Sequence, residues 1–402
     1  MTSPLAAGPP APPAAASVRE GGRSAVGPPG VGSLGAGPSA AGPQGVGPPR
    51  AGSSAAGPSA AGPSGAPPRL ADIAAQAKVS EATVSRVLNG KAGVAATTRQ
   101  RVLAALDVLG YERPVRLRRR SAGLVGLVIP ELTNPVFPAF AQIIEQVLAG
   151  HGYTPILCTQ MPGGATEDEL VEQLQERDVA GIVFMSGLHA DTTADPARYA
   201  RLAGRKVPFV LINGYHEHIQ ATFVSPDDRA AARMAVRHLA ALGHHRIGLA
   251  VGPARYVPAL RKFEGFLTAS AELLGRSADE ARELVRHTLF SVEGGQVAAA
   301  TLLDQGCTGI VCGSDLMALG VIREAARRGL RVPHDVSVVG FDDSPLIAFT
   351  DPPLTTVRQP VQSMATAAVG ALLEEMAGNP VQHTEFVFQP DLVVRGSTAR
   401  LR

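Results

Sequence analysis

The chain has 402 residues, 45% hydrophobic and 18% charged, which is room for two or three domains with one of them large. No apolar run approaches the ~20 residues that cross a bilayer. The start has no basic segment followed by an apolar run, so no secretory leader is expected and the protein is read as cytoplasmic, with no membrane partner. The net charge of +2 hides an uneven distribution: residues 69–120 hold eleven Lys/Arg against four Asp/Glu, whereas residues 121–402 hold 23 against 30. A small basic module ahead of a larger, mildly acidic one points to a polyanion partner for the first.

Residues 1–66 are almost entirely Ala, Gly, Pro and Ser, with SAAGP recurring at 39, 54 and 59. Such a composition cannot bury enough apolar surface to offset chain entropy, so a disordered tail is expected. Gly30-Val-Gly-Ser-Leu-Gly35 fits a GxGxxG pattern. It lacks the preceding strand and following helix that a dinucleotide loop needs, and no cofactor is expected.

Three short helices are predicted next, over 70–77, 80–89 and 97–110, with Ser80 as the cap of the second. Only Lys78 and Val79 separate the first two, the tight turn of a helix-turn-helix whose second helix enters the major groove. That helix, within KVSEATVSRVLNG (78–90), places Val79, Val84, Val87 and Leu88 on a narrow apolar stripe. Glu81, Thr83, Ser85, Arg86 and Asn89 are left on a wide face of short hydrogen-bonding side chains around one Arg, better suited to contact than to solubility alone.

After Ala122 the pattern changes. LVGLVIP (124–130), TPILC (154–158), GIVFMS (181–186), FVLIN (209–213), RIGLAVG (246–252), GIVCG (309–313) and VSVVGFDD (336–343) are continuous apolar runs. Helix-like stretches at 138–149, 228–242 and 315–329 alternate with them. Strands apolar on both faces predict parallel sheets covered on both sides, in two similar α/β halves with a cleft between them. Cys158, Cys307 and Cys312 form no ligand spacing and read as small buried hydrophobes. His216 and His218 are read as solvated, His244 and His245 as structural, and no metal or catalytic set is expected.

Residues 70–90, NPVF (134–137), RIGLAVGP (246–253), SDLMALG (314–320), VSVVGFDD (336–343) and PPLTTVRQP (352–360) together resemble the lactose/galactose repressor family. The resemblance spans 69 to about 398. It implies a dimeric, ligand-responsive transcription regulator: an all-α headpiece (67–112), a hinge (113–122) and a two-lobed periplasmic-binding-protein-like type I core (123–402) with three crossovers. A sugar-binding transport receptor and a sugar- or nucleotide-metabolising enzyme on the same α/β fold are the alternatives. The headpiece and the lack of a leader argue against the first, and the lack of a catalytic set argues against the second.

By this resemblance Glu81, Ala82 and Arg86 read base edges of double-stranded DNA. Arg86 can donate two hydrogen bonds to a guanine, and Ala82 can offer a thymine methyl or make room. Glu81 either accepts from a cytosine amino group or is repulsive or solvated. Thr83, Ser85 and Asn89 are phosphate-contact candidates. Arg69 stands where the family has a Thr cap and Ala95 where it has a Ser, with Thr97 or Thr98 as substitutes for the second. The linker 111–124 looks about three residues short. Leu117 either wedges into the minor groove between Arg116 and Arg118, or the segment is a basic linker tracking phosphates.

The resemblance further places Asn134, Val136, Phe137, Phe140, Met185, Asn213, Lys262, Phe290, Ser314, Asp315, Asp342 and Gln359 around a small-molecule effector, most simply a sugar. Lys262 stands where the family has Arg, with Arg261 as a fallback, and Phe137 and Phe290 are equally readable as core. No heptad helix follows DLVVRGSTARLR, so a homodimer rather than a tetramer is expected.

Overall fold

The computed structural model describes residues 68–88, 91, 93–111, 122–160, 163–379 and 383–401. The expected tail (1–66), most of the hinge with Leu117 and Arg118, and Asn89 lie outside the described residues.

The headpiece is three helices, α1 (Leu70–Ala77), α2 (Glu81–Leu88) and α3 (Ala96–Val108). They close on a small core of Ile73, Ala74, Ala77, Val84, Val87, Val102 and Ala105. Lys78 ends α1 in the left-handed region at φ 54°, where the Val79 amide donates to the Ala74 carbonyl and turns the chain within three residues. Ser80 caps α2 as expected: its Oγ accepts from the Thr83 amide at 3.3 Å and meets the Thr83 hydroxyl at 2.9 Å.

The other two caps are deficient. Arg69 has no acceptor to offer α1, so only the reciprocal bond remains, from its amide to Asp72 at 2.6 Å. Ala95 precedes α3 with no side-chain bond, and Thr98 does not substitute, because its hydroxyl accepts from Arg101.

The rest of the chain alternates strand and helix. β1 (Gly123–Ile129), α4 (Val136–Gly150), β2 (Tyr153–Thr159), α5 (Glu167–Gln175), β3 (Gly181–Met185), α6 (Ala197–Gly204), β4 (Phe209–Ile212) and β5 (Thr222–Pro226) begin the first lobe. α7 (Asp228–Ala241), β6 (Ile247–Val251), α8 (Val257–Leu274), α9 (Ala278–Arg282), β7 (Val285–His287), α10 (Val292–Asp304), β8 (Gly309–Cys312), α11 (Asp315–Arg327), β9 (Ser337–Asp342) and β10 (Thr355–Arg358) form the second. α12 (Val361–Met376) and β11 (Glu385–Phe388) return to the first lobe, and β12 (Asp391–Val393) ends in the second.

The two sheets run β11-β5-β4-β3-β1-β2 and β12-β10-β9-β8-β6-β7. Among the described residues, the strand pairings within the two sheets are parallel except that of β10 with β12. The chain therefore crosses between lobes three times, after β5, β10 and β11.

The apolar runs became strands because every residue of β3, β4, β6 and β8 is buried, with helices on both faces. β5, β7, β10 and β11 were not anticipated as strands. They are three to five residues long, several are polar, and three of them flank crossovers. Within the second lobe, Gly265 lets α8 lie directly on α7: a Cβ there would collide with the Arg229 carbonyl. Gly320 does the same for α11 against the Val292 carbonyl of α10. Tight helix packing fixes where each helix N-terminus, and hence the cleft wall, is aimed.

Candidate DNA-reading face and effector cleft

On α2, burial separates the helix into two faces. Val84 and Val87 are in the core, Glu81, Ala82 and Arg86 are exposed, and Thr83 and Ser85 are half-buried. Among the described residues the Arg86 guanidinium has no hydrogen-bond or ion-pair partner, so its five donors stay available. Thr83 is less available than its sequence position suggested, because its hydroxyl is tied to Ser80.

Between the lobes lies a cavity of about 290 Å³, close to the size of a small-molecule site. It sits at the carboxyl ends of the strands: Pro130 follows β1, Ser186 follows β3, Asn213 follows β4, Gly313 follows β8, and Asp342 ends β9. Open α/β sheets bind ligands there because the polar strand ends and helix N-termini converge.

The floor is polar and buried. Asn134, Asn213, Asp228, Lys262, Ser314, Asp342 and Gln359 all line it and are each at most 7% exposed. Gln359 Nε2 donates to Asp342 Oδ1 at 2.6 Å, which leaves Gln359 Oε1 without a partner. Asn213 Oδ1 is likewise unpaired, on a residue held at φ 62°. Two buried acceptors beside a cavity are costly when left without a donor. Lys262 Nζ donates to Asp228 and lies 3.7 Å from the Phe341 ring centroid. Burial nevertheless holds the Asp228 carboxyl above its ordinary range.

Asp342 and Asp343 both adopt positive φ, 120° and 60°, an uncommon pair outside glycine. The turn is held from outside. Asp343 accepts from Arg358 and Arg395, each at 2.6 Å, and Asp315 Oδ2 accepts from the Ser344 amide at 2.7 Å. Burial, with the neighbouring Asp315 charge, holds the Asp342 carboxyl well above the usual carboxylate range. Burial likewise pushes Asp315 up to about 6.

The mouth is mixed. Glu131, Phe137, Gln160, Leu188, Tyr256, Pro258 and Phe290 line it, each half-buried. Phe137 and Phe290 thus stand on the wall.

Four expectations need correction. Phe140, one turn along α4 from Phe137, is fully buried in the first lobe's core with Ile144 and Leu148, so it carries packing rather than the wall. Met185 lies in the same core. Asp315 is under the floor, where it fixes Ser344 and Thr356. Arg261 is no substitute for Lys262: it forms a two-pronged pair with Glu385 of β11, at 2.6 and 2.9 Å.

Sequence reasoning missed Glu131, Gln160, Asp228 and Tyr256. Asp228 carried a faint signal, an acidic residue opening a helix just after a strand end. The others lie in loops or at a helix start that no periodicity marks. Behind the wall, buried Glu167 accepts from Tyr199 Oη at 2.6 Å, and from Gln160 Nε2 and the Leu188 amide at 2.9 Å. This network fixes the loop that carries Leu188 and Ala190 into the cavity.

Residues 69–113 match the family profile described as bacterial regulatory proteins, lacI family, and residues 236–398 match a periplasmic binding protein-like domain. The chain is 77% identical over 332 residues to an uncharacterized HTH-type transcriptional regulator in the aml 5′ region of Streptomyces limosus, covering 83% of this chain and 95% of that protein. It is 68% identical over 332 residues to the HTH-type transcriptional regulator MalR of Streptomyces coelicolor, covering 82% and 96%.

Among solved structures, a complex of the transcriptional regulator CelR with cellobiose superposes with a TM-score of 0.61 at 31% identity, over 82% of this chain and 99% of that one. The lac repressor dimer bound to operator and the anti-inducer ONPF superposes at 0.58 and 27%, over 83% and 100%. Headpiece, two-lobed core and relatives agree: the chain belongs to the lacI family of bacterial transcriptional regulators and is a DNA-binding regulator, not an enzyme.

Proposed function

We propose that this regulator holds a near-palindromic operator as a homodimer in the cytoplasm and is released from it when an uncharged sugar enters the cleft. The observation that carries the reading is the cavity floor, where Asp342, Asn213 and Gln359 present carboxyl and amide oxygens and two of the amide oxygens lack partners. Such a floor suits adjacent hydroxyl groups, and Phe137 and Phe290 suit the apolar face of a ring.

Lys262 is the one Lys or Arg among the lining residues and is committed to Asp228, while Glu131 adds an acidic group at the mouth. That balance disfavours phosphorylated or acidic sugars. Bound cellobiose in the CelR structure and bound ribose in a lacI-family regulator from Enterococcus faecium support a sugar at this position.

Operator reading is assigned to Glu81, Ala82 and Arg86, with Thr83 and Ser85 at the phosphates. Asn89, Leu117 and Arg118 complete the proposed contacts from outside the described residues. The effector acts by changing the angle between the lobes, which moves the two linkers of a dimer.

Fluorescence anisotropy with an operator fragment, titrated with a panel of neutral sugars, tests the reading. Asp342→Asn keeps the size of the side chain and should retain operator binding while abolishing release. Unchanged release in that variant refutes the assignment of Asp342. Arg86→Ala should cost about 1–3 kcal/mol of operator binding and relax one base position. Equal weakening on operator and random DNA refutes the base-reading role.

A further inference from the structure

We propose that Arg255 is a positioning residue for the cleft mouth: it latches the two lobes through Asp191 and, from the same guanidinium, orients Tyr256. The inference rests on the effector-cleft reading for its purpose. The geometry and its first test do not.

The two lips meet in a small cross-lobe zipper. On the first lobe, Asp191 follows the 3-10 turn Leu188–Ala190 and forms an isolated antiparallel bridge with Tyr256 of the second. The Thr192 amide and hydroxyl both donate to the Arg255 carbonyl at 2.8 Å. Arg255 Nε donates to Asp191 Oδ2 at 2.8 Å. One Nη of the same guanidinium donates to Tyr256 Oη at 3.0 Å, and its carbon lies 4.7 Å from that ring's centroid. One side chain therefore binds the opposite lobe and aims a ring that lines the cavity.

Both sides of the zipper are firmly mounted. The first-lobe loop is anchored by buried Glu167 at the Leu188 amide and by Tyr199 Oη accepting from the His189 amide at 2.9 Å. Asp191 is further fixed by accepting from the Thr193 amide and hydroxyl, at 3.0 and 2.7 Å. On the second lobe, Tyr256 is the residue immediately before α8, the helix that carries Lys262 to the floor and Arg261 to Glu385. A rigid hook facing a helix start means the lips open by breaking the zipper together rather than by local flexing. Parting them removes both the Arg255–Asp191 pair and the cross-lobe restraint on Tyr256. Closure and presentation of the mouth's aromatic surface are thus one event.

The Thr192 amide reports the latch directly, because its acceptor is a backbone carbonyl that survives substitution of the Arg255 side chain. Hydrogen–deuterium exchange of the unliganded full chain, resolved to single residues by fragmentation mass spectrometry, compares the native protein with Arg255→Ala. Thr192 should exchange at least tenfold faster in the variant. The Leu188 amide, bonded to Glu167 within the first lobe, should be unchanged. Arg255→Lys should recover part of the protection, since an ammonium can reach Asp191 but cannot hold both partners. Tyr256→Phe should leave it intact.

Unchanged Thr192 exchange in Arg255→Ala overturns the latch. Faster exchange at both Thr192 and Leu188 also overturns it, by showing loss of the loop itself. Retained operator binding in every variant, by anisotropy, keeps the outcome separate from the DNA-binding reading.

Discussion

His189 is a residue the cleft does not expose but on which its wall depends. It sits in the turn between Gly187 and Asp191, 1% exposed, with Nε2 bonded to the Ile212 carbonyl at 3.0 Å. Burial pushes its pKa down to about 4, against the opposing charge of Glu167. A histidine with a depressed pKa stabilises the fold above its unfolded value near 6.5, and that contribution is lost as pH falls from 6.5 toward 4. The shift corresponds to about 3 kcal/mol.

Urea unfolding at pH 7 and pH 4 should therefore show the native protein losing about 3 kcal/mol more than His189→Gln. The buried carboxyls Asp228, Asp315 and Asp342, raised by burial, act in the opposite direction. They cancel in the comparison because both proteins contain them. Equal losses would mean that the imidazole is not buried neutral.

The same scale shows what resemblance to a family transfers and what it does not. Asn134, Phe137, Asn213, Lys262, Phe290, Ser314, Asp342 and Gln359 come together around one cavity. Phe140 does not, because residues three apart on α4 lie on adjacent but distinct strips, and only packing decides which strip meets the cleft. Gln160 and Tyr256 were unreadable for another reason: their place in the wall depends on Glu167 and Arg255, 7 and 1 residues away, through bonds that leave no pattern in sequence.

At the scale of elements, the buried strands were legible because both faces are covered, so hydrophobicity is continuous. GIVFMS, FVLIN and GIVCG became β3, β4 and β8 to within one residue. The strands beside the crossovers were not. TFVSP of β5 and EFVF of β11 are short and part polar, resembling loops until paired. Their pairing comes from chain segments more than 150 residues apart in the case of β5 with β11, which no local window can sense.

The headpiece helices show the reverse: local signals suffice, including the missing ones. Supplying the absent caps should stabilise the headpiece by about 1 kcal/mol each, through Arg69→Thr and Ala95→Ser. The backbone at both positions is already extended, at ψ 165° and 144°, so neither change needs rearrangement. Thermal unfolding of the excised headpiece is not required. Exchange rates of the Ile73 and Arg99 amides, both in the first turns of their helices, in the full chain should slow five- to tenfold, by about 1–1.4 kcal/mol. No slowing would mean that fraying at these termini is governed by DNA or by neighbouring chain rather than by the caps.

For the whole molecule, the decisive quantity is the number of base edges it reads. One α2 presents three exposed candidates, Glu81, Ala82 and Arg86, and a good bidentate contact gives only about 1–3 kcal/mol of discrimination. Specific regulators need about 4–10 kcal/mol over random DNA, which two copies reading related half-sites can supply. The second lobe offers apolar side chains for such pairing: Leu289, Val297, Leu346 and Phe349 are 65%, 67%, 72% and 84% exposed. They are carried by the loop after β7, by α10 and by the turn after β9. Single exposed apolar residues are ordinary, but a Phe left so open in an otherwise well-packed lobe is a surface on which the proposed second copy can be tested. Light scattering at micromolar concentration should give twice the 41.5 kDa of one chain. Leu346→Glu with Phe349→Glu should shift that mass toward one chain and make operator binding weaker and steeper in protein concentration, while melting of the core stays near the native value. A tetramer mass for the native protein, or a monomeric variant that still holds the operator tightly, would overturn the dimer and with it the two-half-site account of specificity.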